Sequence, residues 1–235
     1  MKYCNMLQGI FLKRPNRFLA HVEVNGQVVV CHVKNTGRCR ELLIEGTRVL
    51  VQYHPEAKVQ GRKTEYSLIS VYKGELLINM DSQAPNYVAK EWLEEGGFYG
   101  LTGSMPQEVR REVTYSNSRF DLAFRINEKM AYMEVKGVTL ECDGVALFPD
   151  APTERGVKHI EELIMAAQNG YAAYILFVIQ MKGIRYFTPN YKTHRLFGEA
   201  LQKARQAGVT ILAFDCVVSD QELKIDHQIQ VKLEP

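Results

Sequence analysis

Short runs of alternating apolar and polar residues fill the first 80 positions of the chain, with the two-residue period of half-buried β-strands. Asn25-Gly26 separates two of these runs and predicts a hairpin, because both residues tolerate the positive φ angles of a type I′ turn. A turn cluster at 35–38 and a short helical turn at 41–44 follow the hairpin. We predict strands over residues 7–13, 17–24, 27–33, 48–53, 66–72 and 76–79.

Five or six short strands with one helical turn are typical of a small closed or partly closed barrel, such as an OB-fold. Barrels of this kind often bind strands of nucleic acid. We therefore predict that residues 1–80 form an OB-fold-like domain that binds nucleic acid.

The pattern changes after residue 80, where helical periods alternate with strands. Val88, Trp92 and Leu93 repeat with helical spacing in a helix predicted over 81–95. Thr153 is a candidate N-cap for a helix that ends at Gly170, where a left-handed residue is favoured. We predict strands at 108–115, 119–126, 130–138, 145–148, 171–179 and 209–218, helices at 153–169 and 191–206, and an edge strand or hairpin partner within 222–233.

This order of elements predicts a mixed sheet flanked by helices in a second domain, residues 81–235. The fold class is therefore α/β (α+β), with an N-terminal OB-fold barrel followed by a mixed α/β domain. No internal repeat or low-complexity tract interrupts either part.

Composition excludes several protein classes. The 235 residues are 46% hydrophobic, enough to bury a substantial core. The longest apolar run, at 171–179, is about half as long as a membrane-spanning helix. Basic residues interrupt the N-terminal segment before a signal peptide could form. Five cysteines without a Cys-x-x-Cys pair indicate neither a zinc knuckle nor a disulfide framework, so we expect a cytoplasmic protein that does not bind membranes.

Charge is distributed unevenly along the chain. Residues 1–80 carry 12 Lys and Arg against 6 acidic residues, whereas the remainder carries 17 against 21. A polyanionic partner explains this basic first part, and so does a solvated charged surface. Its basic residues lie among aromatic rings and turns, a composition that also suits single-stranded nucleic acid.

Three residues of the second domain form a candidate catalytic and metal site. Glu134 and Lys136 are two apart in a predicted strand, so they should project from one sheet face. Asp121, on a neighbouring strand, would complete a group of two acids and a lysine. Magnesium or manganese suits Asp121 and Glu134 as oxygen ligands, and Lys136 would orient water or neutralise phosphate. A cross-strand salt bridge explains Glu134 and Lys136 equally well.

Glu112 is a candidate third metal ligand, because it lies on the strand before Asp121. An exposed strand residue opposite Arg110 or Arg111 is the alternative interpretation.

A candidate phosphate-binding surface follows these strands. Thr153, Arg155, Lys158 and His159 lie on the first two turns of the predicted helix, where backbone N–H groups, the helix dipole and cationic side chains favour anions. His159 could instead be a packed, hydrogen-bonded histidine.

The motifs together resemble the sugar fermentation stimulation proteins, a family of bacterial and archaeal DNA-binding proteins. The matching segments span the chain: Arg17-Phe-Leu-Ala20, Asn35-Thr36-Gly37, Arg119-x-Asp121, Glu134-Val-Lys136 with Val138-Thr-Leu140, and Phe148-Pro-Asp-Ala-x-Thr-Glu-Arg-Gly-x-Lys-His159. Two positions depart from the family pattern, Lys34 where proline is expected and Pro152 inside the last segment.

The resemblance implies an OB-fold joined to a PD-(D/E)XK nuclease-like domain and DNA binding as the family activity. In that pattern Asp121, Glu134 and Lys136 match the motif acids and lysine, and Glu112 matches an additional acid of some members. The residues predicted to bind DNA are Arg17, Asn35, Thr36, Arg38, Thr153, Arg155, Lys158 and His159.

Two functions from different classes follow, and the sequence leaves open whether the protein is an enzyme. The first is a Mg²⁺- or Mn²⁺-dependent deoxyribonuclease acting on double- or single-stranded DNA. The second is a DNA-binding regulator of sugar (maltose) metabolism with an inert nuclease-like fold. A third function, an enzyme acting on a sugar, has no phosphate-binding glycine loop or nucleotide fingerprint to support it.

Overall fold

The computed structural model describes residues 1–35, 37–116 and 118–234. The chain divides into two compact units. Unit 1 comprises Met1–Ala84 together with Gln180–Lys182 and Val217–Lys224, and unit 2 comprises Pro85–Ile179, Gly183–Cys216 and the C-terminal segment from Ile225. Two short segments from late in the sequence thus pack with the N-terminal unit. Of the helices in these described ranges, none is both long enough and apolar enough to cross a bilayer.

Unit 1 contains a closed β-barrel. Its strands are β1 (Met6–Asn16), β2 (Leu19–Val24), β3 (Gln27–Val33), β4 (Arg48–Tyr53), β5 (Tyr66–Lys73) and β6 (Leu76–Asn79). The strands are ordered β3-β2-β1-β4-β5-β6, and β3 also pairs in parallel with β5. That extra pairing closes the first five strands into a barrel, which confirms the predicted OB-fold.

The Asn25-Gly26 hairpin is confirmed. Its two residues have φ angles of 51° and 76°, and Val24 pairs with Gln27 across the turn. The segment predicted as a helical turn makes one hydrogen bond of helical spacing, from Leu43 N to Cys39 O at 2.9 Å. It does not extend into a helix, because Gly46 turns the chain with a φ of 85°.

Strand β1 is longer than predicted, because it continues through Pro15. Its pairing with β2 shifts register between Phe11 and Lys13 and again between Lys13 and Asn16. Proline is tolerated at such irregularities, where the ladder does not need its missing N–H group.

The remaining elements form two sheets and four helices within the described ranges. The helices are α1 (Ala84–Glu94), α2 (Tyr99–Thr102), α3 (Glu154–Gln168) and α4 (Arg195–Gln206). The strands are β7 (Gln107–Tyr115), β8 (Ser118–Ile126), β9 (Lys129–Val138), β10 (Leu140–Cys142), β11 (Val145–Phe148), β12 (Ala172–Ile179), β13 (Tyr186–Pro189), β14 (Thr210–Val218), β15 (Leu223–Gln228) and β16 (Gln230–Val231).

The six-stranded sheet is ordered β15-β14-β12-β9-β8-β7, and the four-stranded sheet is ordered β10-β11-β13-β16. β12 lies parallel between β9 and β14, whereas β7, β8 and β9 are antiparallel. The mixed sheet predicted for this part of the chain is confirmed. The apolar run of β12 is buried almost throughout, as expected for a central parallel strand.

The sequence did not predict α2, β10 or β13. β13 contains only four residues. α4 begins at Arg195 instead of 191, because β13 and the turn after Pro189 occupy the preceding positions. Thr153 is confirmed as the N-cap of α3, since its Oγ1 accepts a hydrogen bond from Gly156 N at 3.0 Å. Gly170 ends that segment with a φ of 86°.

Candidate functional site

Strands β8 and β9 bring Asp121 and Glu134 to adjacent positions of one sheet. Leu122 pairs with Met133 and Ala123 with Tyr132, so the antiparallel ladder sets Asp121 against Glu134. Glu134 is 2% exposed, and Asp121 is half-buried. The two acids therefore share a face of the sheet, as the sequence predicted.

Among the described residues, Glu134 finds partners for only one of its carboxylate oxygens. Oε1 accepts a hydrogen bond from Lys136 Nζ at 2.6 Å and also contacts Nδ1 of His159. Oε2 is buried and has no hydrogen-bond partner among residues 1–35, 37–116 and 118–234. A buried carboxylate oxygen without a donor is unusual in folded proteins.

Asp121 is held by two donors. Asn86 Nδ2 donates to Oδ1 and Val135 N donates to Oδ2, each at 2.8 Å. Asn86 was not among the site residues predicted from the sequence. The sequence does contain a sign of its role. Asn86 is three residues before Ala89 and seven before Leu93, so it places a polar group on the buried side of α1.

The two acids have opposite pKa shifts. Burial and the nearby Glu134 carboxylate raise the pKa of Asp121 above its ordinary value, although the hydrogen bond from Val135 opposes this shift. Burial also raises the pKa of Glu134, but the His159 hydrogen bond and the charge of Lys136 outweigh it, and the pKa is lowered. Glu134 is thus the firmly ionised member of the pair.

Lys136 completes a compact polar group with these acids. Its side chain is 16% exposed, and its ammonium group faces Glu134 instead of solvent. The group combines two carboxylates suited to a hard cation with a lysine suited to an anionic oxygen. The structure therefore brings together the three residues that the sequence proposed as catalytic.

Glu112 lies opposite Asp121 in the β7–β8 ladder, between the pairs Arg111–Leu122 and Val113–Phe120. Its carboxylate pairs with Arg119 at 3.4 Å, and both side chains are more than half exposed. Among the described residues, only Asp215, Asp226 and His227 place three potential metal-ligand atoms within 4.8 Å of one another. These three residues were not predicted from the sequence. Asp121 and Glu134 thus form the centre of the candidate site, and Glu112 stays a predicted third ligand on the neighbouring strand.

The predicted phosphate-binding residues of α3 separate into two environments. Arg155 is exposed, and the side chain of Lys158 is 63% exposed. His159 instead faces the sheet at Glu134, and its Nε2 accepts from Arg155 Nε at 3.3 Å. The Thr153 hydroxyl serves as the helix cap, and its backbone N donates to His194 Nδ1 at 3.3 Å.

Arg14 organises the predicted DNA-binding residues of the barrel. Its Nη1 donates to the carbonyls of Gly37 and Arg38, both at 2.7 Å. Its Nη2 donates to the carbonyls of Arg17 at 2.7 Å and Asn35 at 2.8 Å. In the sequence, Arg14 is only one of several basic residues, because no local pattern shows that four carbonyls converge on it.

A groove of about 340 Å³ lies beside this network and is lined by Arg14, Asn16, Arg17, Arg38, Arg40 and Leu43. Arg17 stacks over the ring of Phe18 at 4.6 Å, and Phe18 is 43% exposed. The groove is therefore cationic and has an aromatic ring close to it. Thr36, also predicted to bind DNA, lies outside the described residues.

Two family models match the chain in succession. The model described as the SfsA N-terminal OB domain matches residues 12–80, and the model described as the Sugar fermentation stimulation protein RE domain matches residues 83–222. The chain belongs to the sugar fermentation stimulation protein family. This confirms the resemblance seen in the sequence.

Curated relatives in the family are similar over their full length. The sugar fermentation stimulation protein homologue of Desulfitobacterium hafniense is 55% identical over 233 residues, which are 99% of each chain. That of Ruminiclostridium cellulolyticum is 54% identical over 234 residues, 99% of this chain and all of the relative. The solved structure of Pyrococcus furiosus SfsA in complex with Ca²⁺ superimposes with a TM-score of 0.86 at 26% identity, covering 99% of this chain and 98% of the other.

Proposed function

We propose that this protein is a Mg²⁺- or Mn²⁺-dependent deoxyribonuclease. The observation that carries the proposal is the buried Oε2 atom of Glu134, which has no donor in the described chain and belongs to a carboxylate set against Asp121. A divalent cation held by both carboxylates would satisfy this oxygen and offset the repulsion that raises the pKa of Asp121.

The donor set fits a hard cation, since Asp121 and Glu134 offer carboxylate oxygens and no sulfur ligand lies with them. The Ca²⁺ bound by Pyrococcus furiosus SfsA is a cation with the same preference for oxygen ligands. When bound, such a cation supplies charge neutralisation to a phosphodiester. Magnesium or manganese is the proposed cofactor.

The residues of the chain have distinct roles in this proposal. Lys136, 2.6 Å from Glu134 Oε1, would stabilise the charge that develops on a phosphoryl oxygen or orient the attacking water. His159 fixes the carboxylate of Glu134 through Nδ1. Asn86 fixes the carboxylate of Asp121. Lys136 is the only one of these three that we propose as a catalytic residue; the other two are positioning residues.

DNA is the proposed substrate because cationic side chains are exposed on both units. Arg17 and Arg38 lie at the barrel groove, and Arg155 and Lys158 lie on the exposed side of α3. Such residues bind the phosphate backbone without reading base sequence, so affinity should fall steeply with salt. The ring of Phe18 offers a stacking surface for an unpaired base.

A second function is favoured by one specific observation. The ammonium group of Lys136 already contacts Oε1 of Glu134, so the protein itself supplies part of the positive charge that a cation would provide. A DNA-binding protein without cleavage activity, acting in the regulation of sugar metabolism, could retain the same arrangement for stability.

Incubation with DNA separates the two functions. Linear, nicked, branched and single-stranded DNA are incubated with and without Mg²⁺ or Mn²⁺, using the wild type, Asp121→Asn and the exposed control Asp143→Asn. We expect metal-dependent cleavage by the wild type and the control alone. Cleavage that survives Asp121→Asn would overturn the site assignment, and binding without any cleavage would favour the second function.

A further inference from the structure

A pocket of about 260 Å³ lies one helical turn beyond His159, between the end of β7 and α3. It is lined by Tyr115, Ser116, Lys158, Glu161, Glu162 and Met165, all of them in unit 2. Pockets of roughly 300–1,000 Å³ hold drug-sized ligands. The volume here suits a smaller group, such as one heteroaromatic ring system.

Glu162 is an unusual side chain to find in this pocket. The residue is 6% exposed, and its Oε1 lies 3.8 Å from Lys158 Nζ, beyond hydrogen-bonding distance. Its Oε2 is buried and lacks a hydrogen-bond partner in the part of the chain that the structure describes. A buried carboxylate without donors is costly. Oε1 thus has only the ion pair with Lys158, and Oε2 lacks the donor that a ligand with N–H groups would supply.

The pocket has a fixed aromatic side and an adaptable one. The hydroxyl of Tyr115 accepts from Asn169 Nδ2 at 2.9 Å, and the Tyr115 ring centre lies 4.9 Å from Tyr132 and 5.5 Å from Tyr171. These contacts hold Tyr115 in place. Met165 is 47% exposed, and its flexible thioether can pack on a flat ring.

We propose that this pocket binds an unstacked guanine base, with the Glu162 carboxylate accepting hydrogen bonds from guanine N1–H and the 2-amino group. Guanine presents these two donors side by side, in the spacing of a carboxylate. Adenine, cytosine and thymine each place an acceptor beside their donor. Lys158, exposed at the rim, carries the charge that would face the phosphate of the same nucleotide.

The inference rests on the proposed function, because the base would belong to DNA held at Asp121 and Glu134. His159, which contacts Glu134, and Glu162 are three residues apart and so neighbours on one side of α3. A base recognised at Glu162 would thus fix which nucleotide lies close to the acidic pair.

Binding of GMP, IMP and AMP is measured by isothermal titration in EDTA, for the wild type, Glu162→Gln and the control Glu75→Gln, whose side chain is 94% exposed on unit 1. IMP lacks only the 2-amino group. We expect the wild type and the control to prefer GMP by roughly tenfold, within the discrimination of one bidentate contact. Glu162→Gln should bind the three nucleotides alike. Absence of a GMP preference, or a preference that survives Glu162→Gln, overturns the proposal.

Two further measurements keep the test decisive. Met165→Trp, which fills the rim, should abolish GMP binding even if Glu162→Gln does not fold, and unchanged GMP binding would contradict the pocket. An oligothymidine of about 12 nucleotides, within the size range of an OB-fold site, reports DNA binding separately. Oligothymidine binding without GMP preference rejects the pocket alone. GMP preference without oligonucleotide binding rejects the proposed function alone.

Discussion

Nδ1 of His159 is hydrogen-bonded to Oε1 of Glu134, joining α3 to β9. Lys136 donates to the same oxygen at 2.6 Å, whereas Oε2 has no partner in the described residues. Two donors on one oxygen fix the orientation of the carboxylate. The positioning of this carboxylate therefore depends on His159 and Lys136 together.

His159→Asn should therefore weaken divalent cation binding. Residues that orient metal ligands typically contribute about 10- to 100-fold in affinity. We expect a loss in that range for Mn²⁺, measured by isothermal titration. His21→Asn, a change on the barrel, is the control. Equal Mn²⁺ affinity in wild type and His159→Asn would contradict a positioning role for this histidine.

Asp121→Asn should stabilise the protein in EDTA, because it removes a buried charge that lies beside Glu134 and has a raised pKa. Removal of one of two adjacent like charges should increase the free energy of unfolding. Asn86 can rotate its amide to keep a hydrogen bond to the new side chain. Urea titration of wild type and variant measures the change, and a lower free energy of unfolding would contradict the repulsion.

Glu134→Gln should have the opposite effect in the same buffer. This carboxylate is stabilised in its ionised form by His159 and Lys136, and its removal takes from the 16% exposed Lys136 the carboxylate that it contacts at 2.6 Å. Loss of one partner of a buried pair costs roughly 3–5 kcal/mol, and partial exposure of Lys136 should reduce this to about 2 kcal/mol. The same urea titration checks it, and stabilisation by Glu134→Gln would show that the pairing is unfavourable.

As pH falls, the destabilisation by the Asp121 charge should disappear before the stabilisation by the Glu134 charge. The pKa of Asp121 is raised, so the destabilisation by its charge disappears first as pH falls through that pKa. The pKa of Glu134 is lowered, so its stabilisation is complete above its unfolded pKa of about 4.3 and is lost only at lower pH. Melting temperatures from neutral to acidic pH should show Asp121→Asn converging on the wild type before Glu134→Gln does. The reverse order would contradict the assignment.

Arg14→Lys should disrupt the barrel groove although the charge is kept. A lysine cannot hold the four carbonyls of Arg17, Asn35, Gly37 and Arg38 that Arg14 contacts. Hydrogen bonds to charged groups contribute about 1.5–3 kcal/mol each, so the loss of one should reduce oligonucleotide affinity at least tenfold. Fluorescence anisotropy measures this affinity. Arg40→Lys, on the same groove, should change affinity by less than about threefold. Equal effects of both variants on oligonucleotide affinity would contradict a special role for the hydrogen bonds of Arg14.

Much of the fold follows from patterns that span only a few residues. The Asn25-Gly26 turn follows from the positive φ angles that these two residues tolerate. The Thr153 cap follows from its hydroxyl, which lies three residues before the Gly156 N–H group that it accepts from. Alternation placed Glu134 and Lys136 on one face. β13 escaped prediction because four residues between two turns carry too little periodicity.

The sequence by itself determined the family, the barrel followed by a mixed sheet, and the three polar residues at the centre of the candidate site. Only the tertiary structure decided which side chains meet them. Asn86 and Asp121 are 35 positions apart and His159 and Glu134 are 25 apart, so their contacts depend on how α1 and α3 pack on the sheet. The pairing of Glu112 with Arg119 likewise depends on strand register. Local propensity fixes the conformation of each segment, whereas packing between distant segments fixes the hydrogen bonds and charges of the site.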